Sequence, residues 1–168
     1  VAEIETDRLT LRPCAIGDLP DMAAMWADPA VVRHIGGPLT KELVWGKLMR
    51  NAGLWSLLGY GAFVARERAT GRFVGEVGFF DMRRDLEPCL DGVPEIGWAL
   101  MTWAHGKGFA FEAVRGATRW FEGEFGRQRT FCLIAPENAP SLRLADRAGY
   151  SEWMRTVWRG QPTIILTR

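Results

Sequence analysis

Six residues, His105-Gly106-Lys107-Gly108-Phe109-Ala110, place two glycines and a lysine directly before a run with helical apolar spacing. Such a turn has the ingredients to hold an anion. Gly106 and Gly108 let the main chain approach a ligand closely, and consecutive N–H groups at a helix start face outward. The helix dipole adds its positive end and Lys107 a full charge, which together suit a group of diphosphate size. Neither common nucleotide signature fits. A dinucleotide-binding turn needs a third glycine where Phe111 stands; a P-loop needs a glycine at 101 and a Ser or Thr where Gly108 stands. The same spacing also serves a plain strand-to-helix turn whose glycines supply only positive φ.

The flanking segments must position that loop. "RLTLR" (8–12) alternates apolar and polar residues as a half-buried strand does. Asp18 stands where it can cap a helix with Pro20 in its first turn and a stripe of Leu19, Met22, Ala23 and Trp26. Thr40 can cap a second helix whose buried side is expected at Val44, Leu48, Ala52 and Trp55. "GAFVAR" and "RFVGEVGFF" read as a hairpin of two strands, residues 81–93 as a mobile loop without periodicity, and "PEIGWALM" as a strand leading into the glycine-rich turn. After the turn, Ala110, Ala113, Val114, Ala117, Trp120 and Phe121 keep helical spacing. "TFCLIA" (130–135) reads as a buried strand. It is followed by a helix with Asn138 as its cap and Pro140 in its first turn, and by a hairpin turning near Gly160. The pattern predicts one mixed α/β domain over residues 1–168, a sheet covered by helices.

Bulk properties narrow the partners. With 21 basic and 20 acidic side chains the net charge is +1, which gives no argument for a nucleic-acid or membrane partner. No apolar run reaches the ~18 residues of a membrane span, and no signal peptide is recognisable. Cys14, Cys89 and Cys132 lack CxxC spacing, which points away from a disulfide framework or zinc site and toward a reducing cytoplasm. His34 and His105 have no neighbouring ligand spacing, so no metal is expected.

The glycine-rich hexapeptide resembles the Gln/Arg-x-x-Gly-x-Gly/Ala motif of the GNAT superfamily of N-acetyltransferases, with His105 standing where many members carry Gln or Arg. "EIGWALMTWAHGKGFAFEA", "PENAPSLRLADRAGY", "IETDRLTLRPCAIGDL" and "ADPAVVRHIGG" look like the RimJ/RimL-type branch, in the expected order and over nearly the whole chain. The resemblance implies an α/β/α fold: a central, mostly antiparallel twisted sheet with helices on both faces and one splayed parallel strand pair. It implies acetyl-CoA as cosubstrate, its diphosphate held by the amides of 105–110, with Leu100, Met101 and Thr102 at the strand end. An N–H of Leu100 or Met101 would polarise the thioester carbonyl. Asn138 would hold the pantetheine arm, although by itself it is a helix cap. Ser141 would reach the sulfur as a proton source, although by itself it is a hydroxyl bonding its own turn. Glu95 would be the base beside the reaction centre, its plain alternative being a salt-bridge partner. Glu76 is the other central-strand carboxylate, with a structural alternative too. Tyr150 is expected to pack, and Glu112 to be structural.

The acceptor would be a protein N-terminus, a peptide or a small amine. At pH 7 an α-amine is roughly 10–20 % neutral, a lysine about 0.04 %, so the need for a base depends on which it is. Two other readings stand: a non-catalytic acyl-CoA binding domain, and an aminoglycoside-type acetyltransferase. The latter needs an acidic pocket that Asp81, Asp85, Glu87 and Asp91 could line, offset by Arg83 and Arg84. Members of the branch also pair, so a homodimer using the C-terminal hairpin is an available arrangement.

Overall fold

The computed structural model describes residues 2–168. Eight strands form one sheet: β1 (Ile4–Glu5), β2 (Leu9–Pro13), β3 (Ala62–Glu67), β4 (Phe73–Phe80), β5 (Glu95–Leu100), β6 (Phe131–Ile134), β7 (Ser151–Trp158) and β8 (Gln161–Thr167). Their order is β1-β2-β3-β4-β5-β6-β8-β7. Every neighbouring pair is antiparallel except β5 and β6. Five helices accompany it: α1 (Leu19–Ala27), α2 (Pro29–Val32), α3 (Lys41–Leu58), α4 (Phe109–Phe125) and α5 (Ala139–Arg147).

Alternation along the strands divides the core, with a register shift between β3 and β4 at Ala65/Arg66 that puts Phe73 on the face opposite Val77 and Phe79. Phe63, Val77, Phe79, Ile96 and Leu100 join Phe109, Ala113, Val114, Ala117 and Phe121 of α4 in one cluster. Val64, Phe73 and Ala99 join Met22 and Met25 of α1 and Val44 and Leu48 of α3 in another. Period-two strands and 3.6-period helices therefore place helices on both faces, as expected.

Three local expectations are revised. Asp18 does not cap α1; its carboxylate is drawn toward the sheet, accepting from Arg12 Nη1 (2.7 Å) and Nη2 (2.9 Å), Arg66 Nη2 (2.9 Å) and the Ala15 amide (2.8 Å). Burial alone would raise its pKa, but these donors outweigh it and hold the group at about 2. On α3, Thr40 caps as expected, with Oγ1 accepting from the Leu43 amide, but the buried side turns through Asn51 and leaves Ala52 exposed. The reason is a polar one: Asn51 accepts from the Ala62 amide (2.6 Å) and donates to the Ala62 carbonyl (2.9 Å), satisfying the start of β3. Residues 81–93 contain no strand or helix, yet they are fastened. Leu86 and Leu90 are buried with Phe131 and Ile165, and Thr156 Oγ1 donates to the Glu87 carbonyl (2.9 Å).

Removing the Asp18 charge strands Arg12 and Arg66 without their shared partner. Asp18→Asn should cost about 3 kcal/mol, a fall in Tm of about 6–12 °C for a chain of this size. Thermal denaturation at neutral pH checks it. The difference should shrink as pH falls from the ordinary carboxylate range toward 2, because the native carboxylate itself protonates there.

Candidate active site

The glycine-rich loop begins where β5 ends. A single 3-10 turn, Thr102–Ala104, uses the amides of Ala104 (to Met101 O, 3.0 Å) and His105 (to Thr102 O, 3.1 Å). Gly106 (φ +73°) and Gly108 (φ +80°) then adopt left-handed conformations, and α4 starts without a side-chain cap. The next amide to find a main-chain acceptor is that of Glu112, to Gly108 O (3.2 Å). Between them, the six consecutive amides of residues 106–111 donate to no protein acceptor among the described residues. Residues 105–108 are exposed, so these donors open to the outside at the positive end of a 17-residue helix.

The loop is held rigidly from behind. Glu112 accepts from Thr6 Oγ1 (2.6 Å), the Arg8 amide (2.7 Å) and Arg8 Nε (2.7 Å), while Arg8 Nη1 donates to the Lys107 carbonyl (2.9 Å). The Arg8 guanidinium also lies 4.4 Å from the Phe109 ring centroid. Burial of Glu112 is outweighed by these donors, and its pKa is lowered. Glu112 is thus a structural carboxylate. Trp103, whose indole donates to Phe73 O (3.1 Å), carries Arg72 at 4.0 Å and Lys107 at 5.0 Å from its ring centroid. His105 points the other way: a carbonyl only accepts, so its Nε2 donates to Leu100 O (2.9 Å). What His105 brings to the loop is this brace against the strand end, while its amide is spent in the 3-10 turn.

The sheet forks beside this loop. β5 and β6 share one register pair, Glu95 with Phe131, plus the Phe131 amide to Pro94 O (3.1 Å), and then part. On the β4 side the Met101 amide bonds Val74 O (2.9 Å). Antiparallel alternation therefore turns the N–H groups of Leu100 and Trp98 toward the fork. Of the two amides expected to serve as carbonyl donors, Met101 is occupied by the ladder and Leu100 is directed inward. Facing them, Asn138 caps α5, its Oδ1 accepting from the Ser141 amide (3.4 Å). Trp98 Nε1 donates to Ser141 Oγ (3.3 Å) across the gap. An indole is a donor only, so the Ser141 hydroxyl keeps its own proton for another acceptor. Trp98 was not singled out in the sequence; its only signal is its parity, opposite to Glu95, Gly97 and Ala99. Tyr150 is buried, its hydroxyl paired with Thr130 Oγ1 (2.7 Å), so it packs as expected.

On the α1/α3 face of the fork stand the two strand carboxylates. Glu95 is 6 % exposed, and both its oxygens accept from Arg84, Oε2 from Nε (2.6 Å) and Oε1 from Nη2 (2.9 Å). That bidentate pair is the salt-bridge role that was the alternative to a base. Glu76 differs. Its Oε2 accepts from Trp26 Nε1, and no protein donor reaches Oε1 among the described residues. Burial raises its pKa against the opposing Trp26 bond and the Lys47 charge. Lys47 itself lies 4.0 Å from the Trp26 ring centroid, and burial lowers its pKa. Beside the fork, then, one face of the sheet carries a hydroxyl donor and the other, one strand away next to Ala99, a desolvated carboxylate. No group of three or more His, Cys, Asp or Glu side chains able to hold a metal occurs among the described residues, and no helix there is long and apolar enough to cross a membrane.

A family model for an acetyltransferase (GNAT) domain matches residues 8–151. The chain is 28 % identical over 149 residues to the "uncharacterized N-acetyltransferase p20" of Bacillus licheniformis, covering 88 % of this chain and 81 % of that protein. Among solved structures, a GNAT-family acetyltransferase from Bordetella pertussis superposes with a TM-score of 0.89 at 31 % identity, over 100 % of this chain and 99 % of that one. The RimL ribosomal L7/L12 α-N-protein acetyltransferase in complex with coenzyme A shares the fold at a TM-score of 0.81 and 14 % identity, over 99 % and 97 % of the two chains.

Proposed function

Since the chain belongs to the GNAT acetyltransferase family, and is an acyltransferase, we propose that it moves an acetyl group from acetyl-CoA directly to a primary amine. The observation that carries this reading is the run of six acceptor-free amides, 106–111, opening beside a forked sheet. Acetyl-CoA supplies the acyl group as an activated thioester. The amides from Gly106 to Phe111 hold its diphosphate, with Lys107 contributing charge. The Leu100 N–H faces the carbonyl oxygen, where it opposes negative charge as that develops. Asn138 fixes the first turn of α5, and as the C–N bond forms and the C–S bond breaks the Ser141 hydroxyl, oriented by the Trp98 indole, gives its proton to the departing sulfur and regains one from water. Glu76 takes the proton released by the amine, directly or through water. Its raised pKa suits that task better than the ion-paired Glu95.

Incubation with acetyl-CoA and a broad amine panel should release free thiol in an amine-dependent manner. Tight coenzyme A binding with no release above the solvent rate for any amine would overturn amine acetylation. Ser141→Ala should lower kcat by about 10²-fold with little change in KM for acetyl-CoA. An equal loss in kcat/KM through KM alone would make Ser141 a binding residue instead.

A further inference from the structure

With Glu76 as the base, the amine acceptor reaches the fork from the α1/α3 face, and that face carries four cations. Lys47 and Arg50 project from α3, Arg84 from the 81–93 loop, and Arg159 from the β7–β8 turn. Trp158 gathers two of them: Arg84 Cζ lies 4.5 Å and Arg159 Cζ 4.4 Å from its ring centroid. Arg50 feels the charges of Arg84, Arg159 and Glu95, and Lys47 those of Glu76, Arg50, Arg84 and Glu95, so all six groups share one electrostatic neighbourhood. Within it only Arg84 has a carboxylate partner; Lys47, Arg50 and Arg159 form no ion pair and no hydrogen bond among the described residues. Of the four acidic residues of the 81–93 loop, none, Asp85 and Glu87 included, is among the charges that act on Lys47 or Arg50. Asp81 and Asp91 are both taken by Arg83, at 2.9 and 3.7 Å. Arg159 moreover holds φ +49° in the hairpin turn, a conformation usually left to Asn or Gly. Lys47 has the charge of Glu76 beside it, but Arg50 on α3 and Arg159 in the β7–β8 turn have no carboxylate in contact among the described residues, and together they can receive an anion from outside.

We propose that the acceptor is an amine bearing a carboxylate, received by Arg50 and Arg159 while the amine points to Glu76. The inference rests on the acetyl-transfer reading of the fork and adds the substrate class to it. Bidentate guanidinium geometry suits a carboxylate, and the same field repels a polycationic aminoglycoside. The carboxylate belongs either to a free amino acid or to an acidic peptide N-terminus, and matched probes separate the two.

The experiment measures kcat/KM for L-alanine against L-alaninamide, L-glutamate against L-glutamine, and an N-terminal Ala-Glu-Glu peptide against Ala-Gln-Gln, with kanamycin as a polycation. In at least one pair the carboxylate member should exceed its amide by about tenfold or more, equivalent to about 1.4 kcal/mol. Preference in the first pair identifies the α-carboxylate of a free amino acid, in the second the side-chain carboxylate of one, and in the third an acidic N-terminus. The ratio should fall toward 1 in Arg50→Gln/Arg159→Gln, and on raising ionic strength from about 0.05 to about 0.5 M. Titration of the double variant with coenzyme A verifies that the fold is intact. Ratios near 1 in every pair, kanamycin as the best acceptor, or an unchanged ratio in the double variant would each overturn the proposal. Should no amine be turned over, binding to the coenzyme A complex of N-acetyl-L-alanine against N-acetyl-L-alaninamide, and of N-acetyl-Ala-Glu-Glu against N-acetyl-Ala-Gln-Gln, gives the same comparison. Selective binding there sustains the anion site even as acetyl transfer fails, and equal binding removes both.

Discussion

Glu76→Gln should lower kcat by about 10²–10³-fold while leaving coenzyme A affinity nearly unchanged. Glu76 sits on β4 on the face opposite the Trp98–Ser141 bond, buried, with one oxygen held by the Trp26 indole and the other free of protein donors among the described residues. Burial disfavours its charged form and raises its pKa, which makes the carboxylate a stronger proton acceptor. The active form is the deprotonated one, so wild-type kcat/KM should rise with pH through that raised pKa. It should rise again as the amine deprotonates, near 7.7–8.0 for an α-amine. Glutamine should erase the rise that belongs to Glu76 and spare the one that belongs to the amine.

Stability should move the opposite way. A carboxylate whose folded pKa exceeds its unfolded one leaves the native state holding more protons than the unfolded chain, so its contribution declines as pH rises through that interval. Glu76→Gln should therefore keep or raise Tm at neutral pH while activity collapses. An unchanged kcat with both limbs intact would move the base elsewhere.

Gly108→Val should weaken coenzyme A binding by about 10²-fold, and Gly106→Ala by about 5–30-fold. Both positions have positive φ, where a Cβ costs about 1–2 kcal/mol per residue. A β-branched residue is worse suited than alanine. At Gly106 an added Cβ meets nothing within 4 Å, so the backbone cost stands alone; at Gly108 it meets Arg8 Nη2 at 3.4 Å. Relief of that strain rotates the peptide planes and turns the six amides out of their common direction. The helix itself should survive, because Glu112, Arg8 and Thr6 secure it independently. Calorimetry with coenzyme A, beside far-UV circular dichroism, reads both effects. Affinity within about threefold of wild type for Gly108→Val would sever the loop from diphosphate binding.

The features legible in the sequence were those set by neighbours along the chain. The glycine-rich turn, the Thr40 and Asn138 caps, the helical stripe after Gly108 and the alternating strands depend on spacings of two to four residues. What escaped was decided by pairings across the fold. Trp98 meets Ser141 at a separation of 43 residues, and Trp26 meets Glu76 at 50. Asp18 has the sequence context of a cap, yet two arginines on β2 and β3 outbid the helix amides for its oxygens. The choice between Leu100 and Met101 needed the β4–β5 register, which no single strand encodes. Glu95 is as acidic in sequence as Glu76; only the fold supplies one with an arginine and the other with a tryptophan.

The parting of β5 from β6 after a single shared pair has a consequence for self-association. A continuous eight-stranded sheet exposes main-chain donors and acceptors only along its outer strands, here β1 and β7. This one has two further edges in its interior, along Ile96–Leu100 and Cys132–Ile134, each a template onto which an extended stranger could zip. Whatever lodges between them also acts as a guard against aggregation. Solubility on prolonged storage should accordingly track coenzyme A occupancy.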